Sequence, residues 1–258
     1  MKMGRASEPA SGWNWMERDG LLGLTFDWWG TLYVDRSARS QRVRLIVHAL
    51  REHGYRASEA AVTRAYEIAA ARFEREWGAG RVYPPKRWLA DILEELGTPL
   101  PASDCLELQR ALEEAMLDAP PPLVPGAERL LHELHDSGVR LGIVSDTGLT
   151  VGRVMRRILG KDGLLDCFSG FAFSDEVGVT KPNEHTFQRA LAGMGLAPEQ
   201  AAHVGDLPHT DICGAKAIGM KAILMNGVSG KQDDGRADAV VADYGELRQV
   251  LRRWGLLP

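Results

Sequence analysis

Five polar side chains stand at or just beyond the ends of short apolar runs. Asp27 follows LLGLTF, Ser145 closes RLGIVS, and Asp206 follows AAHVG with Asp211 a few residues on. Lys181 lies in a Thr-Lys-Pro turn. Singly, each has an ordinary explanation as a cap, a turn residue or a solvated loop charge. As a set they are carboxylates, one ammonium and one hydroxyl, which is the equipment for handling a phosphate ester with Mg²⁺. Clustered carboxylates repel and call for a cation. Mg²⁺ takes oxygen ligands, using one or two carboxylates with water and substrate phosphate. A fixed lysine offsets phosphoryl charge and a hydroxyl bonds a phosphoryl oxygen. A carboxylate free to attack phosphorus forms an aspartyl-phosphate.

That chemistry requires elements that bring the five residues to one place. Leu21 to Phe26 reads as a strand, too short for a helix and soon followed by Gly30. From about Arg36 the pattern turns helical: one segment over 37–53 ends at Gly54, and one begins at the N-cap Ser58 and ends by Gly78. Two more follow Pro84-Pro85 and Ser103. After Pro120-Pro121-Pro122 the rhythm alternates: helix 126–137, strand 140–144, helix 150–159, strand 170–173, helix 184–194, strand 201–204, helix 211–218, strand 221–225, strand 239–241, helix 244–253. Alternation of this kind predicts an α/β fold, a doubly wound parallel sheet with right-handed crossovers. Ligands of such sheets bind beyond the carboxyl ends of the strands, where the five residues fall. The predicted organisation is a tail over 1–18, a core from 19–35 and 119–258, and an all-helical cap over 36–118, inserted after the first strand.

Composition bounds the rest. The 258 residues are 45% hydrophobic and 26% charged, as in a soluble globular chain able to bury its own core. A net charge of −4 gives no reason to expect nucleic acid or an anionic membrane as partner. No run reaches the ~18 apolar residues of a membrane helix, and the first residues lack the apolar centre of a secretory signal. Cys105, Cys167 and Cys213 are scattered and odd in number, without metal-ligand spacing, so they read as reduced thiols in a cytoplasmic protein.

With the residues in view, the chain resembles the haloacid dehalogenase superfamily. FDWWGTL (26–32), LGIVSD (141–146), Lys181-Pro182 within VGVTKP, and HVGDLPHTD (203–211) are similar to its four motifs, in order. The stretches VPGAERLLHELHDSGVRLGIVSDT and GAKAIGM resemble it as well, and the helical insert occupies the place of a type-1 cap. The resemblance implies a Rossmann-like core and makes Asp27 the nucleophile. Asp27, the backbone carbonyl of Trp29 and Asp206 would ligate Mg²⁺, and Asp211 would hold the metal's water shell or a neighbouring ligand. Ser145 would bind the transferring phosphoryl group, Lys181 would balance the charge of Asp27 and phosphate, and Thr31 would support the phosphate loop. Gly30 suits a backbone that turns tightly.

One position departs from the pattern. Phosphatases of that superfamily carry a second Asp two residues after the nucleophile, which protonates the leaving oxygen; here the position is Trp29. An indole N–H cannot shuttle protons, and the function lost is worth ~10²–10⁴-fold in rate. A phosphatase could recruit His209, Asp146 or a cap carboxylate instead, or act on a substrate with a good leaving group such as an acyl phosphate. A 2-haloacid dehalogenase carries an aromatic residue there and needs no acid, yet has no use for the Gly205-Asp206 pair. A phosphonoacetaldehyde hydrolase would need a cap lysine, for which Lys86 is the sole candidate. A binding or interaction protein without turnover is the fourth alternative.

Charge in the cap is polarised: arginines 36, 39, 42, 44, 51 and 56 crowd its start and acids its end. This reads as solvated helix faces, or as an early arginine that recognises an anionic substrate group, with Arg87 as another candidate. Trp28 and Trp29 are expected to line a partly apolar pocket, which Trp77 and Trp88 could join from the cap, although a tryptophan on a helix more often reads as core. The sequence therefore points to a Mg²⁺-dependent hydrolase of small anionic molecules, most simply a phosphatase, with no nucleic-acid or membrane partner.

Overall fold

The computed structural model describes residues 20–258; the tail expected over 1–18, and residue 19 with it, lies outside them. Six strands form one all-parallel sheet: β1 (Gly23–Phe26), β2 (Arg140–Ser145), β3 (Phe168–Phe173), β4 (Ala201–Gly205), β5 (Lys221–Met225) and β6 (Ala239–Val241). Their order is β3-β2-β1-β4-β5-β6. Strand β1 is therefore interior, pairing with β2 on one side and β4 on the other, and is buried along its whole length. Its run, apolar but for Thr25, suits a strand covered on both faces. It starts at Gly23 rather than Leu21, and a Cβ at Gly23 would collide with Leu196 and the Arg140 carbonyl.

Side chains alternate between the two faces. Ile143, Ile223 and Met225 pack with α5 (Ala127–Asp136), α6 (Gly152–Lys161) and α10 (Tyr244–Arg253). Val144, Ala222 and Leu224 pack on the opposite side with α8 (Glu184–Met194) and α9 (Cys213–Ala217). A single-turn helix, α7 (Ser174–Val177), follows β3. The helix expected over 211–218 is shorter: Pro208–Ile212 forms a turn of π-helix that leads into α9. This wider turn carries Asp211, and the loop before it carries Asp206.

Between β1 and α5 lie four longer helices, α1 (Arg39–Glu52), α2 (Glu59–Gly78), α3 (Pro85–Leu96) and α4 (Ala102–Glu114). Ser58 caps α2 by accepting the Ala61 N–H, and α3 starts on Pro85 and ends at Gly97 in the left-handed region. Helix α4 begins one residue earlier than Ser103, with Pro101 rather than a serine at its cap. These helices share their own apolar cluster, including Ile46, Leu50, Tyr66, Trp88, Ile92 and Leu112; Leu149, from the loop after β2, inserts into it. The two chain crossings into this unit pair with each other: Val34 N–H donates to the Pro122 carbonyl at 3.0 Å and Val124 N–H to the Leu32 carbonyl at 2.8 Å. No helix among the described residues is long and apolar enough to cross a membrane.

Candidate active site

The adjacent strands β2, β1 and β4 end side by side, delivering Ser145, Asp27 and the Gly205-Asp206 turn to one edge. Asp27 follows the last residue of β1, its N–H donating to the Val204 carbonyl at 2.9 Å. Lys181, in the loop after α7 and joined to Pro182 by a cis peptide, is 3% exposed. Its Nζ donates to Asp27 Oδ1 at 2.7 Å, to Asp211 Oδ1 at 2.6 Å and to the Val144 carbonyl at 3.3 Å. Carboxylate oxygens of Asp27, Asp206 and Asp211 lie within 4.8 Å of one another.

A single ammonium faces three buried carboxylates, and the acid strengths register it. Burial, then the Asp211 and Asp206 charges, push the Asp27 carboxyl up to about 8 despite Lys181. Burial and Asp211 push Asp206 up to about 6. Burial would raise Asp211 too, but Lys181 and His203 hold it well below the usual carboxylate range. Burial would weaken the Lys181 ammonium, yet Asp211, Asp27 and Asp146 keep it charged.

Asp211 is fully engaged by the protein: Oδ1 receives Lys181 and His203 Nε2 (3.2 Å), and Oδ2 accepts the Leu207 N–H at 2.9 Å. This suits a residue that holds the lysine and the loop. Sequence reasoning misses His203. It lies inside β4, burial keeps its ring uncharged, and it bridges Thr25 Oγ1 (2.8 Å) to Asp211. Its one sequence signal is a polar residue at an interior position of the apolar run AAHVG.

Backbone shape explains two glycines. Gly30 has φ +69°, and a Cβ there would stand 2.6 Å from Asp206 Oδ2. A Cβ at Gly205 would stand 2.3 Å from Asp211 Cγ. Among the described residues no N–H donates to the Trp29 carbonyl, while the Trp28 carbonyl accepts from Leu32 and Tyr33.

A cleft of about 730 Å³ opens between this edge and the helical unit. Asp27, Trp29, Gly30, Asp146, Lys181 and Asp206 form its floor. Ser145 and Thr31 are buried behind that floor: Ser145 Oγ donates to the Asp146 carbonyl at 3.3 Å, and Thr31 Oγ1 has no partner. The Thr31 carbonyl accepts the Tyr244 hydroxyl at 3.0 Å.

The tryptophans are distributed differently from the sequence expectation. Trp28 is fully buried in the sheet core, stacked on Tyr33 with centroids 4.3 Å apart, because its ring turns away from the cleft. Trp29 lines the cleft, and so do Trp77 and Trp88. Trp77 also reaches across, donating Nε1 to Asp146 Oδ2 at 2.8 Å, while Asp146 Oδ1 accepts the Lys181 N–H at 3.0 Å. Burial raises the Asp146 pKa.

Of the early arginines, Arg36, Arg39 and Arg42 border the cleft. Arg39 pairs with Glu67, and Arg42 is buried, donating to the Leu112 carbonyl and to Thr150 Oγ1 (2.7 Å). Arg36 forms no ion pair among the described residues. Arg87 pairs with Asp91. Lys86 is exposed and does not border the cleft, and neither does the exposed His209, whose ring meets Trp77 edge-on at 5.9 Å.

Comparison with known proteins bears on the family and the fold. A family described as haloacid dehalogenase-like hydrolase matches residues 22–219. The phosphoserine phosphatase of Thermus thermophilus is 36% identical over 130 residues, 50% of this chain and 50% of that protein, so the match spans about half of that relative's length. The ribulose-1,5-bisphosphate 5-phosphatase of Halopiger xanaduensis is 29% identical over 206 residues, 79% of this chain and 84% of that protein. The structure of a 2-haloacid dehalogenase from Pseudomonas syringae superposes with a TM-score of 0.67 at 24% identity, covering 91% of this chain and 99% of that one. At that identity the likeness establishes the fold alone.

Proposed function

The chain belongs to the haloacid dehalogenase-like hydrolases, and from that premise we propose that it is a Mg²⁺-dependent phosphatase of a small organic phosphate, with Asp27 as nucleophile. The observation that carries the reading is the buried Lys181 ammonium, held between Asp27 and Asp211 at the floor of the cleft. Its phosphatase relatives support it.

The donor set fits Mg²⁺: hard oxygens, an excess of buried negative charge, and carboxyls of Asp27 and Asp206 pushed up by burial and then by neighbouring carboxylates. Asp27, Asp206 and the Trp29 carbonyl would hold the ion, with Asp211 behind them, and the bound ion would offset charge on the phosphoryl oxygens. Asp27 must be ionised to attack, and the Lys181 contact favours that form. Attack joins the Asp27 carboxylate to phosphorus as the ester P–O bond breaks, and water then cleaves the aspartyl-phosphate. Lys181 neutralises charge on Asp27 and phosphate throughout, Thr31 supports the loop, and Ser145 would meet a phosphoryl oxygen by turning its Oγ from the Asp146 carbonyl. The helical unit over 36–118 closes the cleft and selects the substrate. The 2-haloacid alternative accounts for Trp29 but leaves the Asp206 cluster without work. Three free thiols suit a cytoplasmic setting.

Phosphate release from acetyl phosphate and aryl, sugar and nucleotide phosphates, in Mg²⁺ and in EDTA, tests this. Release is expected in Mg²⁺ alone, and Asp27→Asn is expected to reduce it by roughly 10³-fold or more with an unchanged circular dichroism spectrum. Equal release in EDTA, or full activity in the Asp27→Asn variant, removes the reading.

A further inference from the structure

We propose that the leaving group of this enzyme is a phenol: the cleft is built for aryl phosphates. The inference rests on the phosphatase reading and takes it to a substrate class by two independent routes, the supply of protons and the shape of the wall.

The first route is the protonic one. A departing alkoxide is nearly as basic as hydroxide, whose conjugate acid has a pKa of about 15.7, and it must be protonated as it leaves. A phenolate, with a conjugate acid near pKa ~10, can leave bare. Position 29, beside the nucleophile, offers an indole. Of the other groups that could substitute, all but two are committed or lie outside the lining, and no hydrogen bond among the described residues holds those two, Asp35 and Glu74, toward the nucleophile. Asp146 accepts a hydrogen bond on each oxygen, from Lys181 N and Trp77 Nε1. Asp206 belongs to the carboxylate cluster. Glu67 is paired with Arg39, and His209 does not border the cleft. Asp35 and Glu74 remain as exposed residues of the lining.

The second route is the wall. Trp29 contributes a half-buried ring from the core, and Tyr66, Phe73, Trp77 and Trp88 contribute rings from the helical unit. Phe73 and Trp88 lie 5.0 Å apart between centroids, and Tyr66 and Trp88 5.8 Å. A flat ring stacks or meets edge-on in such a wall. Trp88 is 6% exposed and borders the cleft from the buried cluster of the helical unit.

In the reaction, an Asp27 oxygen bonds to phosphorus and the P–O(aryl) bond breaks, its electron pair leaving on the phenolate, which takes a proton from solvent. Water then attacks phosphorus and the pair of the broken Asp27–phosphorus linkage returns to the carboxylate. One proton stays on phosphate and the other passes to solvent.

Four substrates separate ring from leaving group: phenyl phosphate has both features, benzyl phosphate the ring alone, acetyl phosphate a good leaving group alone, and glycerol 3-phosphate neither. With the full-length protein in Mg²⁺, kcat/KM for phenyl phosphate is expected to exceed that for benzyl phosphate by about 10²-fold or more. It is also expected to exceed that for acetyl phosphate by roughly tenfold. Trp29→Asp, which restores a proton donor, should narrow the phenyl-to-benzyl ratio at least tenfold. Equal rates on phenyl and benzyl phosphate would show a proton donor at work and overturn the proposal, as would a preference for acetyl phosphate; in both cases the phosphatase reading survives. Silence on all four overturns that reading and this one together.

Discussion

At the scale of single residues, the site is an imbalance of charge. Asp27 is held up to about 8 and Asp206 up to about 6, so in metal-free protein both bind protons more tightly when folded than when unfolded. Folding stability must then fall as pH rises between about 4 and about 8. His203 acts oppositely: burial lowers its pKa, so the unfolded chain takes up the proton and stability rises with pH until its ordinary value of 6.5 is passed. The limb between pH 6.5 and 8 therefore belongs to Asp27. Denaturant unfolding in EDTA should show a loss on the order of 1 kcal/mol across that limb, and Asp27→Asn should flatten it. A parallel slope in the variant would place the titration elsewhere. Much of this site is legible in the sequence: Asp27, Lys181, Asp206 and Asp211 stand out because a parallel sheet must send its strand ends to one edge. His203 is not, because a histidine inside an apolar strand gives no sign of what it faces. Nor is the burial of Ser145 and Thr31 behind the floor, which depends on side-chain direction rather than chain position.

At the scale of elements, one contact by which the helical unit meets the core at the cleft is the hydrogen bond from Trp77, near the end of α2, to Asp146, just past β2. It ties the wall of the cleft to the residue that also fixes the Lys181 backbone. Trp77→Phe keeps most of the apolar surface and removes the donor. A hydrogen bond to a carboxylate is worth about 1.5 kcal/mol, so KM should rise roughly tenfold. The unfolding midpoint should stay near that of the parent, since Trp77 is only half-buried. An unchanged KM would mean that closure does not depend on this bond. The strand and helix pattern that carries these residues is readable from period and punctuation: α8 and α10 span the expected 184–194 and 244–253, and the structure caps them with Asn183, Gly195 and Asp243. The π-helical turn at Pro208–Ile212 is not, because nothing in PHTDI distinguishes it from the start of an ordinary helix. Trp88 is core, as a tryptophan on an amphipathic helix suggests, and borders the cleft as well; for Trp77 the helix shows only that one face is covered, and a substrate covers a face as well as another helix does.

At the scale of the molecule, the chain is a sheet with two apolar faces and a helical unit with its own separate core, joined by two crossings that pair at Val34–Pro122 and Val124–Leu32. Apart from Leu149, and from Met116 and Leu117 packed into the sheet core, much of what ties the two together is polar. Arg42 reaches Thr150, Trp77 reaches Asp146, and Arg153 of α6 meets Glu113 and Glu114 at the end of α4 at 2.6 and 2.5 Å. Arg153 is 43% exposed, and surface ion pairs of that kind contribute little. Interfaces so composed open readily, while each core stays intact. A phosphoryl mimic bound at Asp27 adds charge that Lys181 and the cleft must enclose, which favours the closed arrangement by whatever it gains there and not in the open one. Hydrogen exchange should therefore report two regions. With Mg²⁺ and beryllofluoride, amides of residues 73–79 and 146–152 are expected to slow severalfold, because they form opposite sides of the contact. Amides of β5 and α10, remote from it, should not change. Slowing spread evenly over the chain would mean that the ligand stabilises the whole fold without moving the helical unit, and the cleft would then be a fixed pocket whose aromatic wall selects by shape alone.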